Sequence, residues 1–292
     1  MRPAIFTYTT PEAVILQLDK ANPNVALPNP NQAQYNDLFA NVYSYCKSAS
    51  AYITTVTGRL FVPYRDDRAY YHEDLAETGA YINGRMALGE DLFVLNSIDW
   101  NGTTLSTTDY RLMPINALPY DALRLNGGSN LAFTPGDFEA VTTVSGWWGY
   151  HTNVSDAYTT LSTSITLANG TATSVTVTDS SLYKTLEYVK CESELMQITA
   201  LVDATTLTVT RGMNGTTAAA HTAQPLARFN VVPDVALAAT RMVAYFYQRR
   251  NDVGAAIMLP DNSVNWGTMP HIIEDIVEKY TRRVWGSVTS PR

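Results

Sequence analysis

The sequence YITTVTGRLFVPYRDDRAYY, residues 52–71, ends one periodicity and begins another. Up to Val56 the apolar residues are spaced by three and four, as on one face of a helix that begins near Tyr35. Gly58 is suited to the left-handed conformation that closes a helix. From Arg59 onward the chain is rich in aromatic and branched residues, which favours strands. The stretch therefore predicts a helix followed by β-structure.

Three more helices are predicted towards the two ends of the chain. Thr10, followed by proline and glutamate, caps a short helix that runs to about Lys20. Pro233 begins a third helix, and the last helix begins near Pro270.

Two segments between these helices predict strands. Residues 59–150 contain short aromatic and branched runs separated by Asn-Gly and proline turns, which indicates a small antiparallel sheet. The Thr- and Val-rich segment that follows indicates a barrel or sandwich. The expected fold class is α+β: a helical frame (residues 1–154 and 229–292) with a small antiparallel sheet, and an inserted all-β domain (residues 155–228).

The composition indicates a polar surface of low charge. Charged residues make up 16% of the 292 residues, and the net charge is −7. A protein that binds nucleic acid through its phosphates needs a basic surface, so the negative net charge argues against tight binding of DNA. The 18 tyrosines suit contacts between protein surfaces.

Cys46 and Cys191 have no metal-ligand spacing and are expected to be reduced thiols. We expect no signal peptide, no membrane-spanning segment and no membrane partner.

We expect no catalytic residue, no metal and no cofactor. His72 stands beside Glu73 and Asp74, but adjacent side chains of a strand point to opposite faces, so a shared metal ion is not predicted. Arg211 and His221 could form a ligand or catalytic pair. The favoured interpretation is a bulged turn in which Arg211 holds loop carbonyls.

Two other side-chain patterns have a structural and a functional interpretation. The acid pairs Glu90–Asp91 and Glu192/Glu194 are interpreted as solvated strand edges, although paired carboxylates also occur in active sites. Trp147–Trp148 could offer a platform for a sugar, but a core tryptophan beside an exposed or interface tryptophan is favoured.

Short motifs follow one another in a fixed order after residue 51. They are Thr57-Gly-Arg-Leu-Phe61, Arg68-Ala-Tyr70, Asp91-Leu92, Gly102-Thr-Thr104, Asp109-Tyr-Arg-Leu112, Pro119-Tyr120, Gly146-Trp-Trp-Gly-Tyr150, and a helix from Pro233 to Arg249-Arg250. In this order, over about two-thirds of the chain, the sequence resembles the head–tail connector (adaptor) family of tailed bacteriophages. The segment Arg211-Gly-Met-Asn-Gly-Thr-Thr-Ala-Ala-Ala-His221 resembles a separate module of phage neck and tail proteins.

The resemblance implies a structural subunit of a ring, dodecameric in the family, assembled in the host cytoplasm and located at the virion neck. The implied partners are other copies of the chain, the portal protein, a head–tail stopper or tail terminator, and DNA that passes without specific binding. The candidate channel-lining acids are Asp66, Asp67, Glu73, Asp74 and Glu77. The candidate portal-docking residues are Ile276, Tyr280, Arg282, Arg283, Trp285 and Arg292, since the family's C-terminal end commonly reaches the portal.

The insert is expected to project outward from the ring. Two other functions remain open from the sequence: a tail or baseplate module that binds a host glycan, and an enzyme. The missing nucleophile–base set is the main objection to the enzyme.

Overall fold

The computed structural model describes residues 6–21, 33–72, 81–82, 84–126, 140–248 and 271–282. Within these ranges the α-helices are α1 (Pro11–Ala21), α2 (Ala33–Thr57), α3 (Val154–Ala157), α4 (Pro233–Gln248) and α5 (His271–Tyr280). The predicted ends of the first two helices are confirmed. The Thr10 hydroxyl accepts from the Ala13 amide (3.3 Å), and Gly58 has a φ of +66°.

The first sheet has seven antiparallel strands. They are β1 (Tyr64–Tyr71), β2 (Tyr81–Ile82), β3 (Arg85–Trp100), β4 (Thr103–Thr104), β5 (Tyr110–Met113), β6 (Tyr120–Leu125) and β7 (Val141–Trp148). The strand order is β1-β7-β3-β6-β5, and β2 and β4 both pair with β3. The 16-residue strand β3 is therefore the centre of the sheet.

The second sheet has six antiparallel strands. They are β8 (Tyr158–Leu167), β9 (Ser174–Thr176), β10 (Tyr188–Cys191), β11 (Glu194–Asp203), β12 (Thr206–Thr210) and β13 (His221–Phe229). The strand order is β8-β13-β10-β11-β12-β9. A short 3₁₀ turn, Ser180–Leu182, follows β9.

The expected fold class, a helical frame with a small sheet, is wrong. Two antiparallel sheets, of seven and six strands, dominate the fold, and the structure is only 30% helical. The sequence indicated individual strands but not which strands pair with one another. The sequence indicated separate short runs at Tyr81–Met86 and Leu92–Trp100, whereas residues 85–100 form one long strand that pairs with four others. The expected domain boundaries stay a prediction.

Apolar side chains gather in two clusters. The larger cluster joins the helices to the first sheet and includes Tyr8, Phe61 and Trp148. The smaller cluster lies inside the second sheet, around Ile198 and Leu207. Tyr188, Leu195 and Phe229 belong to strands of the second sheet but are buried in the larger cluster, so the two sheets share apolar contacts. None of the described helices has the length and apolar character that a membrane crossing requires.

Candidate functional site

Glu194, the first residue of β11, is the centre of a buried polar cluster. Its side chain is 1% exposed, and its carboxylate accepts two hydrogen bonds from Arg211 Nε and Nη2, both 2.6 Å long. The amides of Gly212 (3.0 Å) and Ala219 (3.1 Å) also donate to it, and His221 Nε2 lies 2.8 Å away. We call Glu194, Arg211 and His221 the glutamate clasp.

His221, the first residue of β13, lies between two carboxylates. Its Nε2 faces Glu194, and its Nδ1 is 2.7 Å from Glu192. The His221 ring thus bridges the buried carboxylate of Glu194 and the exposed carboxylate of Glu192.

The surroundings of Glu194 favour its ionised form. Burial opposes ionisation, but the hydrogen bonds from Arg211, His221 and the Ala219 and Gly212 amides outweigh it and lower the pKa of Glu194 to about 2. The carboxylate is therefore charged at neutral pH.

Arg211 also holds the loops on either side of the clasp. It donates to the carbonyls of Asn169 (3.1 Å), Ala172 (2.9 Å) and Ala219 (2.5 Å). The predicted role of Arg211 in holding loop carbonyls is therefore confirmed. The interpretation of the acid pairs as solvated edges is wrong for Glu194 and for Asp91, which is 4% exposed.

The turn that the clasp holds contacts the first sheet. We call residues 212–216 the junction loop. Asn214 Nδ2 donates to the Pro63 carbonyl (3.0 Å), and the Asn214 carbonyl accepts from the Arg65 amide (2.8 Å). Gly215, with a φ of +81°, lies so close to Arg65 that a β-carbon there would be 2.1 Å from its carbonyl oxygen. The clasp thus fixes a loop that joins the two sheets backbone to backbone.

The C-terminal helix α5 is held to the first sheet by a second polar group. Arg59 Nε donates to the Tyr280 carbonyl (2.7 Å), and Arg59 Nη1 lies 2.5 Å from Asp91. The Arg282 amide donates to the Thr57 carbonyl (2.8 Å), and the Arg282 guanidinium donates to the Gly89 carbonyl (2.5 Å). Burial raises the pKa of Asp91, against the opposing effect of Arg59 and Arg282. We call Arg59, Asp91, Tyr280 and Arg282 the C-terminal latch.

The latch determines where the docking candidates lie. Ile276 is 3% and Tyr280 5% exposed, and Tyr280 packs edge-on against Phe61 and Tyr150. Both side chains therefore pack on their own chain, and Arg282 bonds to it as well. The other docking candidates, Arg283, Trp285 and Arg292, lie outside the described residues.

The described acid candidates for the channel lie on β1. Asp66 is half-buried, 3.6 Å from Arg68 Nε. Asp67 is exposed and accepts a hydrogen bond from Ser145 (2.5 Å). Glu73, Asp74 and Glu77 lie outside the described residues. Asp66 and Asp67 are adjacent on the strand, so their side chains point to opposite faces of the sheet and the structure does not bring them together.

The two tryptophans of β7 and His72 are buried. Trp148 is 0% exposed and Trp147 5%, with the Lys190 ammonium 5.0 Å above the Trp147 ring. His72 is buried with its Nε2 3.0 Å from the Thr142 hydroxyl. Within the described ranges no three His, Cys, Asp or Glu side chains are grouped as metal ligands.

A cleft of about 680 Å³ separates α1 and α4 from the second sheet. Lys184, Glu187 and Arg228 lie on the sheet side, and Thr9, Leu237 and Thr240 on the helix side. Sequence patterns gave no sign of it, because it forms only where helices from both ends of the chain meet the insert.

No protein-family model matches the chain, and no curated protein is significantly similar to it.

Proposed function

We propose that this chain is a head–tail connector (adaptor) subunit of a tailed bacteriophage, which forms a dodecameric ring at the neck of the virion. The ring would be assembled in the host cytoplasm, lie beneath the portal protein and meet a stopper or tail terminator on its other side. The observation that carries the proposal is the order of the motifs from Thr57 to Arg250.

The buried polar clusters support a mechanical role. The glutamate clasp and the C-terminal latch satisfy their charges and hydrogen bonds within the chain, and each fixes one part of the molecule to the first sheet. Polar groups that hold backbone segments in place suit a subunit that transmits force between head and tail.

Electrostatics supports a passage through which DNA moves without binding. The net charge of −7 disfavours adhesion of phosphates, and Asp67 is an exposed acid on β1. A channel wall of this sign would repel DNA during packaging and ejection.

The glycan-binding alternative relies on exposed tryptophan rings. Trp147 and Trp148 are both buried, so neither presents a ring face on which a sugar could stack. We therefore propose no second function.

The proposal is tested in phage particles. We expect antibody labelling to mark the neck, between capsid and tail. A chain truncated after Arg282 keeps the latch and should fold, but it lacks Arg283, Trp285 and Arg292, so it should lower the yield of joined heads and tails at least ten-fold. The Arg228→Ala variant, which loses a bond to the Leu182 carbonyl and leaves the C-terminal latch intact, is the control. Labelling at the distal tail tip would end the proposal, and normal joining by the truncated chain would end the docking role.

A further inference from the structure

Strand β1 is an edge of the first sheet, and among the residues that the structure describes only the junction loop is bonded to the backbone on its outer side. Its eight residues pair with β7 without a bulge. Since the His72 amide donates to Ala140 (3.0 Å), in line with this register, even-numbered residues direct their backbone groups towards β7. Odd-numbered residues direct theirs outward, as the bond from Arg65 to Asn214 confirms. The junction loop therefore occupies the first outward position, and Asp67, Ala69 and Tyr71 follow.

Strand β5 is the opposite edge of the same sheet. The Asn126 amide donates to Asp109 (2.8 Å), in line with the β5–β6 register, so odd-numbered residues of β5 face β6. Tyr110 and Leu112 face outward. The Tyr110 carbonyl has one long bond, 3.4 Å, from Asn126 Nδ2 and can accept a second donor.

Exposed apolar side chains lie at both edges. Tyr71, at the end of β1, is 55% exposed, and Ile115, just after β5, is 54% exposed. Arg111 on β5 is exposed as well. Two different edges on one subunit are what a head-to-tail ring contact requires.

Because Arg65 is already bonded to the junction loop, the remaining outward positions of β1 are Asp67, Ala69 and Tyr71. Only one antiparallel register pairs two of them with Tyr110 and Leu112 of β5 without placing like charges opposite each other. Placing Asp67 opposite Leu112 would put Arg68 opposite Arg111, which is unfavourable. A shift by two residues places Ala69 opposite Leu112 and Tyr71 opposite Tyr110. Tyr70 then lies opposite Arg111, an aromatic–cation pair.

The faces of the sheet agree with this register. Leu92 pairs with both Trp148 and Tyr120, so the alternation can be followed from β1 to β5. It places Tyr71 and Tyr110 on one face of the sheet.

We propose that β1 of one subunit pairs with β5 of a second copy of this chain, in the register that places Tyr71 opposite Tyr110, so that the first sheet continues from subunit to subunit around the ring. This inference rests on the ring proposed above and names its subunit contact.

Cross-linking of full-length chains tests the register. Within one chain β1 and β5 are four strand spacings apart, roughly 19 Å, which a short bis-maleimide cannot span. We expect the Tyr71→Cys and Tyr110→Cys variants to give a covalent dimer only when mixed, and the double variant to give a ladder of multimers. Cys46 and Cys191 are buried, so background reaction should be low. A mixture of Thr205→Cys and Tyr110→Cys, with Thr205 exposed at the tip of the β11–β12 turn, should give no dimer.

A second variant blocks the edge without breaking the sheet. Ala69→Pro removes an outward amide that β7 does not use, so circular dichroism should be unchanged while the ladder of the double variant is lost. A mixture that yields no dimer overturns the inference, as does dimer formation by Ala69→Cys alone, which would indicate pairing of β1 with itself. Rings seen by negative staining without cross-links would overturn the edge contact and leave the proposed function standing. Cross-links in a protein that labelling places at the distal tail tip would support the edge contact and overturn the proposed function.

Discussion

Gly215 of the junction loop lies against the backbone of Arg65, and the space between them is too small for a side chain. A β-carbon on Gly215 would be 2.1 Å from the Arg65 carbonyl oxygen, less than any normal contact. The neighbouring bond from the Arg65 amide to Asn214 is 2.8 Å long. The two sheets are therefore joined by close backbone contact, which depends on one glycine.

The Gly215→Ala variant should loosen this contact. Gly102 is a matched control, because its φ of +83° is close to the +81° of Gly215 but nothing lies within 4 Å of its added β-carbon. Both variants bear the strain of a left-handed alanine, about 1 kcal/mol. Only Gly215→Ala adds a clash, so hydrogen exchange at the Arg65 amide should be at least ten-fold faster than in the wild type. Equal exchange at Arg65 in the two variants would contradict the junction.

Replacing Glu194 by glutamine should destabilise the fold by roughly 3 kcal/mol, because Arg211 would remain buried without its charged partner. Glu192→Gln is the control, since the Glu192 side chain is 48% exposed and should contribute less than about 1 kcal/mol. Urea unfolding measures both. A similar loss in the two variants would show that the clasp does not depend on Glu194.

Local patterns predicted the helices better than the sheets. The capping of α1 by Thr10 and the closure of α2 by Gly58 depend on adjacent residues, which the sequence displays directly. The burial of Glu194 depends on Arg211 and His221, 17 and 27 residues later, so a spaced acid pair looked like a solvated edge. Strand pairing has the same long-range character, and for that reason the size of the first sheet was missed.

The same limit applies to the docking candidates. The apolar stripe of α5 indicated a face that must be buried, but amphipathicity does not determine what covers it. The structure buries Ile276 and Tyr280 in the chain's own core. The bond from Arg59 to the Tyr280 carbonyl, which holds α5 on the sheet, joins residues far apart in the chain. The sequence pattern around either residue therefore does not reveal it.

Loss of the latch should release α5. In Arg59→Ala the Tyr280 carbonyl loses its donor and Asp91 its nearest cation. We expect trypsin to cut after Lys279 at least five-fold faster than in the wild type. Arg228→Ala, which does not contact α5, should leave that rate unchanged. Equal rates in Arg59→Ala and the wild type would mean that apolar packing alone holds the helix.

Acid should weaken the clasp in a defined pH range. The pKa of Glu194 is lowered from 4.5 to about 2 in the folded chain, so folding favours the ionised carboxylate. Its contribution, about 3 kcal/mol, is complete above pH 4.5 and is lost as the pH falls towards 2, with about 2 kcal/mol lost by pH 3. Other carboxylates also titrate in this range, so the measurement compares the unfolding free energies of the wild type and Glu194→Gln from pH 6 to pH 3. The difference between them should shrink by about 2 kcal/mol. A constant difference would mean that the hydrogen bonds to Glu194 do not favour its charged form, and the clasp would then be held by shape and not by charge.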